Sequence, residues 1–199
     1  DPEVMMYLAV MILGVIGIAA FLWGNAVYDD PSSAFRYAAF NVVSIATTTG
    51  FSNTDYNLWP IFAPVWMLFL CCFATCSGST GGGIKMVRAL LMYRQALREL
   101  TRIIHPRAHL PVKLGGHVVE NNIIFAVLAF MLVYGATMVT GTMLLMLTGL
   151  DVVSAFTAIV ACLNTTGPGL EKVGPSTTFA VLSDFQTWVC TAAMLLGRL

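Results

Sequence analysis

The sequence predicts an all-α membrane protein made of two parallel repeats, each a span, a short pore helix, a filter-like turn and a second span. Three observations predict it. First, the 199 residues are 58% hydrophobic and only 10% charged, where a soluble domain carries roughly 25% charged residues. Second, Thr47-Thr48-Thr49-Gly50-Phe51 and Asn164-Thr165-Thr166-Gly167-Pro168-Gly169 each end an apolar run too short to cross a bilayer. Third, seven of the ten Lys and Arg residues fall between Lys85 and Lys113, with Glu99 the one acid among them. Basic residues concentrate on cytoplasmic loops, so 85–113 should lie inside and both turns should face outward. The net charge of zero gives no overall pull toward nucleic acid.

Each element follows from local chemistry. Val4 to Trp23 is about 20 nearly uncharged residues, enough to span. Trp23 and Tyr28 suit an outer aromatic belt. Asp29-Asp30-Pro31-Ser32-Ser33 supplies capping residues, and Ala34 to Ala46 should be a re-entrant helix of roughly three turns. Asn53 to Asn57 leads back out. Pro60 and Pro64 fit the first turn of the next helix, with Trp59 and Trp66 at the outer interface. That helix should run to about Cys76. Ser77-Gly78-Ser79-Thr80-Gly81-Gly82-Gly83 then breaks it, since each glycine costs about 1 kcal/mol relative to Ala inside a helix. Ile84 to Arg102 should be helical again, with Arg94, Arg98 and Arg102 as a basic stripe. The stripe reads as a solvated or lipid-phosphate-facing surface, or as a docking surface for a cytosolic partner.

His105 to His117 reads as a polar connector, and Pro106 spoils the helical spacing that His105 and His109 would need to hold a metal. Ile123 to Thr148 is a long, tilted span, in which Gly135, Thr137 and Gly141 would allow close helix packing. Asp151 can cap Val152 to Leu163, the second short helix. Glu171 to Thr178 is an outer loop, and Phe179 to Leu199 re-enters the membrane. The chain starts at Asp1 and ends inside this apolar run, and so reads as part of a longer protein. The expected units are 1–104, the connector 105–117, and 118–199.

The chemistry should reside in the two turns. Extended backbone at membrane depth is tolerated only where it is buried in protein or lines a wet cavity, and carbonyl oxygens there can replace the hydration shell of a cation. Thr48, Thr49, Gly50, Thr165, Thr166 and Gly167 are the candidate ion ligands, with the two glycines adopting backbone angles costly for residues with a Cβ. The short helices point their negative dipole ends at this site. The stretch Gly78, Ser79, Thr80, Gly81, Gly82, Gly83 is a candidate hinge or plug beneath the turns. It is not a P-loop, because Ile84 and Lys85 stand where Lys and Ser or Thr would be required. Arg198, 14 residues after Asp184 and so about 21 Å deeper along a helix, would set a barrier to cations; snorkelling to the inner interface is the alternative. The five cysteines, Cys71, Cys72, Cys76, Cys162 and Cys190, lie in apolar runs and read as small buried hydrophobes.

The three motifs together (the turn at 47–51, the loop Gly78-Ser79-Thr80-Gly81-Gly82-Gly83-Ile84-Lys85, and the turn at 164–169) resemble the Trk/Ktr/HKT superfamily of potassium transporters. The resemblance implies four repeats around one potassium-channel-like pore, of which this chain matches the third and fourth. It implies K+ as the transported ion, Gly50 and Gly167 as filter glycines, residues 78–83 as an intramembrane gating loop and Arg198 as the arginine below the filter. It further implies a homodimer in the bacterial inner membrane, contacting lipid and a cytosolic, nucleotide-binding regulatory ring of the TrkA type, with no nucleic-acid partner and no cofactor in this chain. Two turns cannot surround an ion alone, so the missing N-terminal repeats would complete the site. A non-conducting scaffold is one alternative. An intramembrane enzyme is another, and it lacks a motif: there is no HExxH or GxSxG, and all three histidines lie in the connector.

Overall fold

The computed structural model describes residues 2–73, 75–76, 78–79, 81–105, 111–115 and 117–198. Seven α-helices carry the fold among them: α1 (Pro2–Gly24), α2 (Pro31–Ala46), α3 (Phe62–Phe73), α4 (Met86–Ile104), α5 (Asn121–Leu147), α6 (Val152–Leu163) and α7 (Asp184–Arg198). Short 3-10 turns at Tyr56–Leu58, Glu171–Val173 and Phe179–Val181 shape the loops.

Caps set the helix starts. The Asp30 carboxylate accepts from the Ser33 amide at 3.3 Å with Pro31 at the first helical position of α2. Asp151 accepts from the Ser154 amide at 2.9 Å at the start of α6. Ser183 and Gln186 form a reciprocal capping box at α7: the Ser183 amide donates to Gln186 Oε1 at 2.9 Å, and the Gln186 amide donates to Ser183 Oγ at 3.4 Å. This box places the start of α7 five residues after Phe179, where the apolar run begins.

Each half has its own core. In the first, Met11, Val15, Ile18 and Leu22 of α1 pack on Ala38, Val42 and Ile45 of α2 and Met67 and Leu70 of α3. In the second, Tyr134 and Leu145 of α5 pack on Ala155, Ala158, Ile159 and Leu163 of α6 and Cys190 and Ala193 of α7. Gly141 allows close packing of α5 on α6, since a Cβ there would meet Ile159 Cδ1 at 2.9 Å. Gly135 has no such neighbour within 4 Å, so the close packing expected of both glycines holds for one.

Nine of the 12 residues of α6 are buried, so this helix is the centre of its half. By contrast α1 and α5 present Leu8, Ile12, Leu13, Leu132, Val133 and Leu147 outward. Both are long and apolar enough to cross a membrane, over Glu3–Gly24 and Asn121–Leu147. An outward apolar surface on such helices suits lipid rather than water.

The connector holds a feature the sequence reading did not anticipate. Lys113–Leu114 (β1) and His117–Val118 (β2) pair antiparallel, Lys113 opposite Val118 and Leu114 opposite His117. Gly115 sits in the turn at φ +57. Two members of the basic stripe on α4 are tied to this region. The Arg94 guanidinium donates to the Lys113 carbonyl, and Arg98 donates to Asn121 Oδ1 at 3.3 Å. His109 lies outside the described residues.

Candidate functional site

The two Thr-Gly turns are built alike. After α2, the Thr48 amide donates to the Ile45 carbonyl at 3.1 Å and the Thr49 amide to the Ser44 carbonyl at 2.8 Å. After α6, the Thr165 amide donates to Cys162 at 3.1 Å and the Thr166 amide to Ala161 at 2.9 Å. This pair of bonds, one spanning five residues and one spanning three, is the Schellman closure of a helix C-terminus. It requires a left-handed residue at one position, normally Gly or Asn. Here that residue is Thr48 at φ +57 and Thr165 at φ +54. A β-branched residue in that region is an outlier, at a cost of about 1–2 kcal/mol each. Beyond each closure the chain runs extended through a glycine at positive φ, Gly50 at +82 and Gly167 at +109.

The turns meet. A Cβ on Gly50 would overlap the Thr166 carbonyl oxygen and lie 3.3 Å from the Pro168 ring. Only glycine allows the first turn to approach the second this closely. Neither α2 nor α6 has a basic residue in its last turn, so the negative ends of both dipoles remain available to a cation.

Contacts between the loops that follow the two turns hold them in register. Asn57 Oδ1 accepts from the Glu171 amide at 3.1 Å, and the Ser176 hydroxyl donates to Asp55 Oδ2 at 2.8 Å. The chain leaving the second turn is pinned to its own helix, with the Leu170 amide donating to Thr157 Oγ1 at 3.0 Å.

Beneath the turns lies the Gly-rich loop. The helix before it, α3 (Phe62–Phe73), does not reach the expected Cys76, and Thr75 and Cys76 are not helical. The Ile84 amide reaches back to the Cys72 carbonyl at 3.0 Å and the Met86 amide to the Thr75 carbonyl at 2.7 Å, taking up carbonyls a continuing helix would use. Gly82 fits against the end of α6: a Cβ there would meet the Leu163 carbonyl oxygen at 2.8 Å and Asn164 C at 3.0 Å. From the other side Gly197 of α7 packs on the same residue, its Cβ position 2.6 Å from Leu163 C and 2.7 Å from Leu163 Cα. A cavity of about 260 Å³ opens below, lined by Ser79, Gly81, Gly82, Lys85, Arg88 and Arg198 among others.

Residues 3–199 match the TrkH family, described as a cation transport protein. The chain belongs to this family. It is 39% identical over its whole length to the Trk system potassium uptake protein TrkH of Salmonella typhimurium, and 35% identical to the Trk system potassium uptake protein TrkG of Escherichia coli. It spans 41% and 40% of the lengths of those relatives. The crystal structure of the potassium transporter TrkH from Vibrio parahaemolyticus superposes with a TM-score of 0.92 at 39% identity, covering all of this chain and 42% of that one. The all-α membrane fold read from the sequence is therefore the TrkH fold.

Within this TrkH-family chain, the structure brings Gly50 to Thr166 and Pro168, and brings Gly81, Gly82, Gly83 and Arg198 around one cavity. Thr80 and Ser77 lie outside the described residues. Several contributors were not singled out from the sequence. Asn164 is fully buried and caps α6; its Oδ1 accepts from the Tyr134 hydroxyl at 3.1 Å and its Nδ2 donates to the Val160 carbonyl at 2.8 Å and to Cys72 Sγ at 3.5 Å. A visible signal existed, since Asn164 stands where the first turn has Thr47. Gly197 offered none beyond being a glycine inside an apolar run.

Proposed function

We propose that this chain forms part of a potassium uptake protein of the bacterial inner membrane, contributing two of the four filter turns around one pore. The backbone carbonyls of Thr48, Thr49, Gly50, Thr165, Thr166 and Gly167 take the place of water around K+. One observation carries the reading: two half-length helices end in the same strained threonine–glycine closure, and the closures touch at Gly50 and Thr166. The names of the relatives, potassium uptake proteins, supply the ion. Residues 78–83 act as the gate beneath the filter, and Arg198 on the same cavity sets an electrostatic barrier to cations leaving it.

The functional units follow the notional repeats, 1–104 and 118–199, with 105–117 as the cytoplasmic connector. The complete protein works as a homodimer in lipid, regulated by a TrkA-type, nucleotide-binding cytosolic ring, and catalyses no covalent chemistry. K+ is cargo and no cofactor is needed in this chain. Flux into liposomes containing the full-length protein tests the reading. K+-selective flux is expected, and Gly50→Ser or Gly167→Ser should lower the K+/Na+ ratio. An unchanged ratio in both variants would remove the filter assignment.

A further inference from the structure

Why both turns use threonine where glycine would fold without strain is not explained by ion binding through carbonyls. The side chains answer it. Thr165 Oγ1 accepts a hydrogen bond from the Gly82 amide at 3.3 Å. Thr48 Oγ1 faces the neighbouring loop residue, lying 2.9 Å from where a Cβ on Gly81 would sit. Thus the two left-handed threonines, one from each turn, both turn their hydroxyls onto consecutive residues of one loop.

The second turn is reinforced. A Cβ on Gly83, itself at φ +86, would overlap Asn164 Oδ1 and lie 3.2 Å from the Cys72 carbonyl. Asn164 is held in place by the Tyr134 hydroxyl and by the Val160 carbonyl. The equivalent residue of the first turn, Thr47, bonds back to its own helix, its hydroxyl donating to the Val43 carbonyl at 2.7 Å. The loop is therefore fastened more firmly to the second turn than to the first.

We propose that Thr48 and Thr165 are positioning residues for the gate: the Thr165 hydroxyl latches the Gly81–Gly82 segment against the filter through its hydrogen bond from Gly82, the Thr48 hydroxyl packs on Gly81, whose amide donates to Ser79 Oγ, and the Tyr134–Asn164 pair buttresses that latch. This rests on the filter-and-gate reading above. It adds that loop position and filter geometry are linked through two side chains, so that the latch can loosen without loss of the carbonyl ligands.

The test uses the full-length protein in liposomes, reading K+ flux and the K+/Na+ flux ratio. Thr165→Val and Thr48→Val keep the β-branched shape and remove the hydroxyl. Thr165→Val should raise K+ flux about fivefold, the factor set by one hydrogen bond of ordinary strength, and Thr48→Val, which loses a packing contact only, should raise it less, both at an unchanged ratio. Thr165→Ser keeps the hydroxyl and should restore wild-type flux. Unchanged flux in both valine variants would overturn the latch, as would a raised flux in Thr165→Ser. A fall in the ratio without a rise in flux would also overturn it, placing the hydroxyls on the ion instead. Should the valine variants fail to fold, Tyr134→Phe removes the donor to Asn164 and should raise flux at constant ratio; no change there would equally sink the proposal. A wild-type protein without K+-selective flux would instead refute the underlying filter reading.

Discussion

Gly197→Ala should be among the most damaging single-methyl changes in this protein. The added Cβ would lie 2.6 Å from Leu163 C and 2.7 Å from Leu163 Cα, where unstrained carbon pairs sit at about 3.5 Å or more. The deficit is about 0.9 Å, and the obstructing atoms are backbone, which cannot rotate away as a side-chain tip would. Either α7 moves out or the end of α6 moves, and the end of α6 is the base of the second turn. Gly82 closes the other side, its own Cβ position 2.8 Å from the Leu163 oxygen. Overpacking of this kind costs about 1–3 kcal/mol. A displacement near 1 Å in a positioned site can cost on the order of a hundredfold in rate. Flux in liposomes with the full-length protein, read beside thermal unfolding, checks both parts. A fall in K+ flux of at least tenfold with a lowered Tm is expected. Wild-type flux with an unchanged Tm would refute the inference that the second turn rests on a glycine-thin contact.

Other substitutions separate local from remote causes. Gly135→Ala, in open space on α5, should leave stability unchanged or raise it by about 0.5–1 kcal/mol, while Gly141→Ala should lower it because Ile159 must shift; unfolding of the two variants in one detergent compares them directly. Asp151→Ala removes the cap of α6 and should cost about 1 kcal/mol. The Ser154 amide holds the Asp151 carboxyl below the usual carboxylate range, and Ser32 does the same for Asp30. Their stabilising effect is thus fully present above the ordinary carboxylate pKa of about 3.9 and fades as pH falls through the lower folded values; an Asp30→Asn, Asp151→Asn double variant should show a flatter stability profile at acid pH. Arg198→Gln should raise cation flux through the full-length protein, and flux equal to wild type would refute the barrier role.

How much was legible depended on whether the cause was local. The boundaries of α6 could be read from Asp151 and from the Thr-Thr-Gly stop, because capping and chain reversal are written in neighbouring residues. The start of α7 was misplaced because Phe179 to Val181 looks as apolar as the helix itself, and only the Ser183–Gln186 box fixes the true beginning. The early end of α3 had no local sign: the carbonyls of Cys72 and Thr75 are claimed by amides 11 or more residues away, at Ile84 and Met86. The β1–β2 hairpin did carry a sign, the Gly115-Gly116 pair between two short runs, masked by the prolines of the same connector. The role of Asn164 was half visible. Its departure from the Thr47 position could be seen, but its partners, Tyr134 and Cys72, come from two other helices.

That departure has a mechanical consequence. Repeats around a pore could carry identical turns, and the filter by itself asks for no more. A single loop beneath them cannot meet both turns in the same way, because it arises from one repeat only. The residues at the loop contact must therefore differ between the turns even where the backbone proposed to face the ion is the same. Thr47 closing on its own helix, and Asn164 reaching to Tyr134 and the Gly83 segment, are that difference. Exchanging the two, Thr47→Asn with Asn164→Thr, should leave both Schellman closures intact, since these are made by the amides of the following residues. It should nevertheless loosen the loop, because no tyrosine on α1 stands where α5 offers Tyr134. Flux that rises at a constant K+/Na+ ratio in the exchanged protein would bear this out, and wild-type flux would show the asymmetry to be incidental.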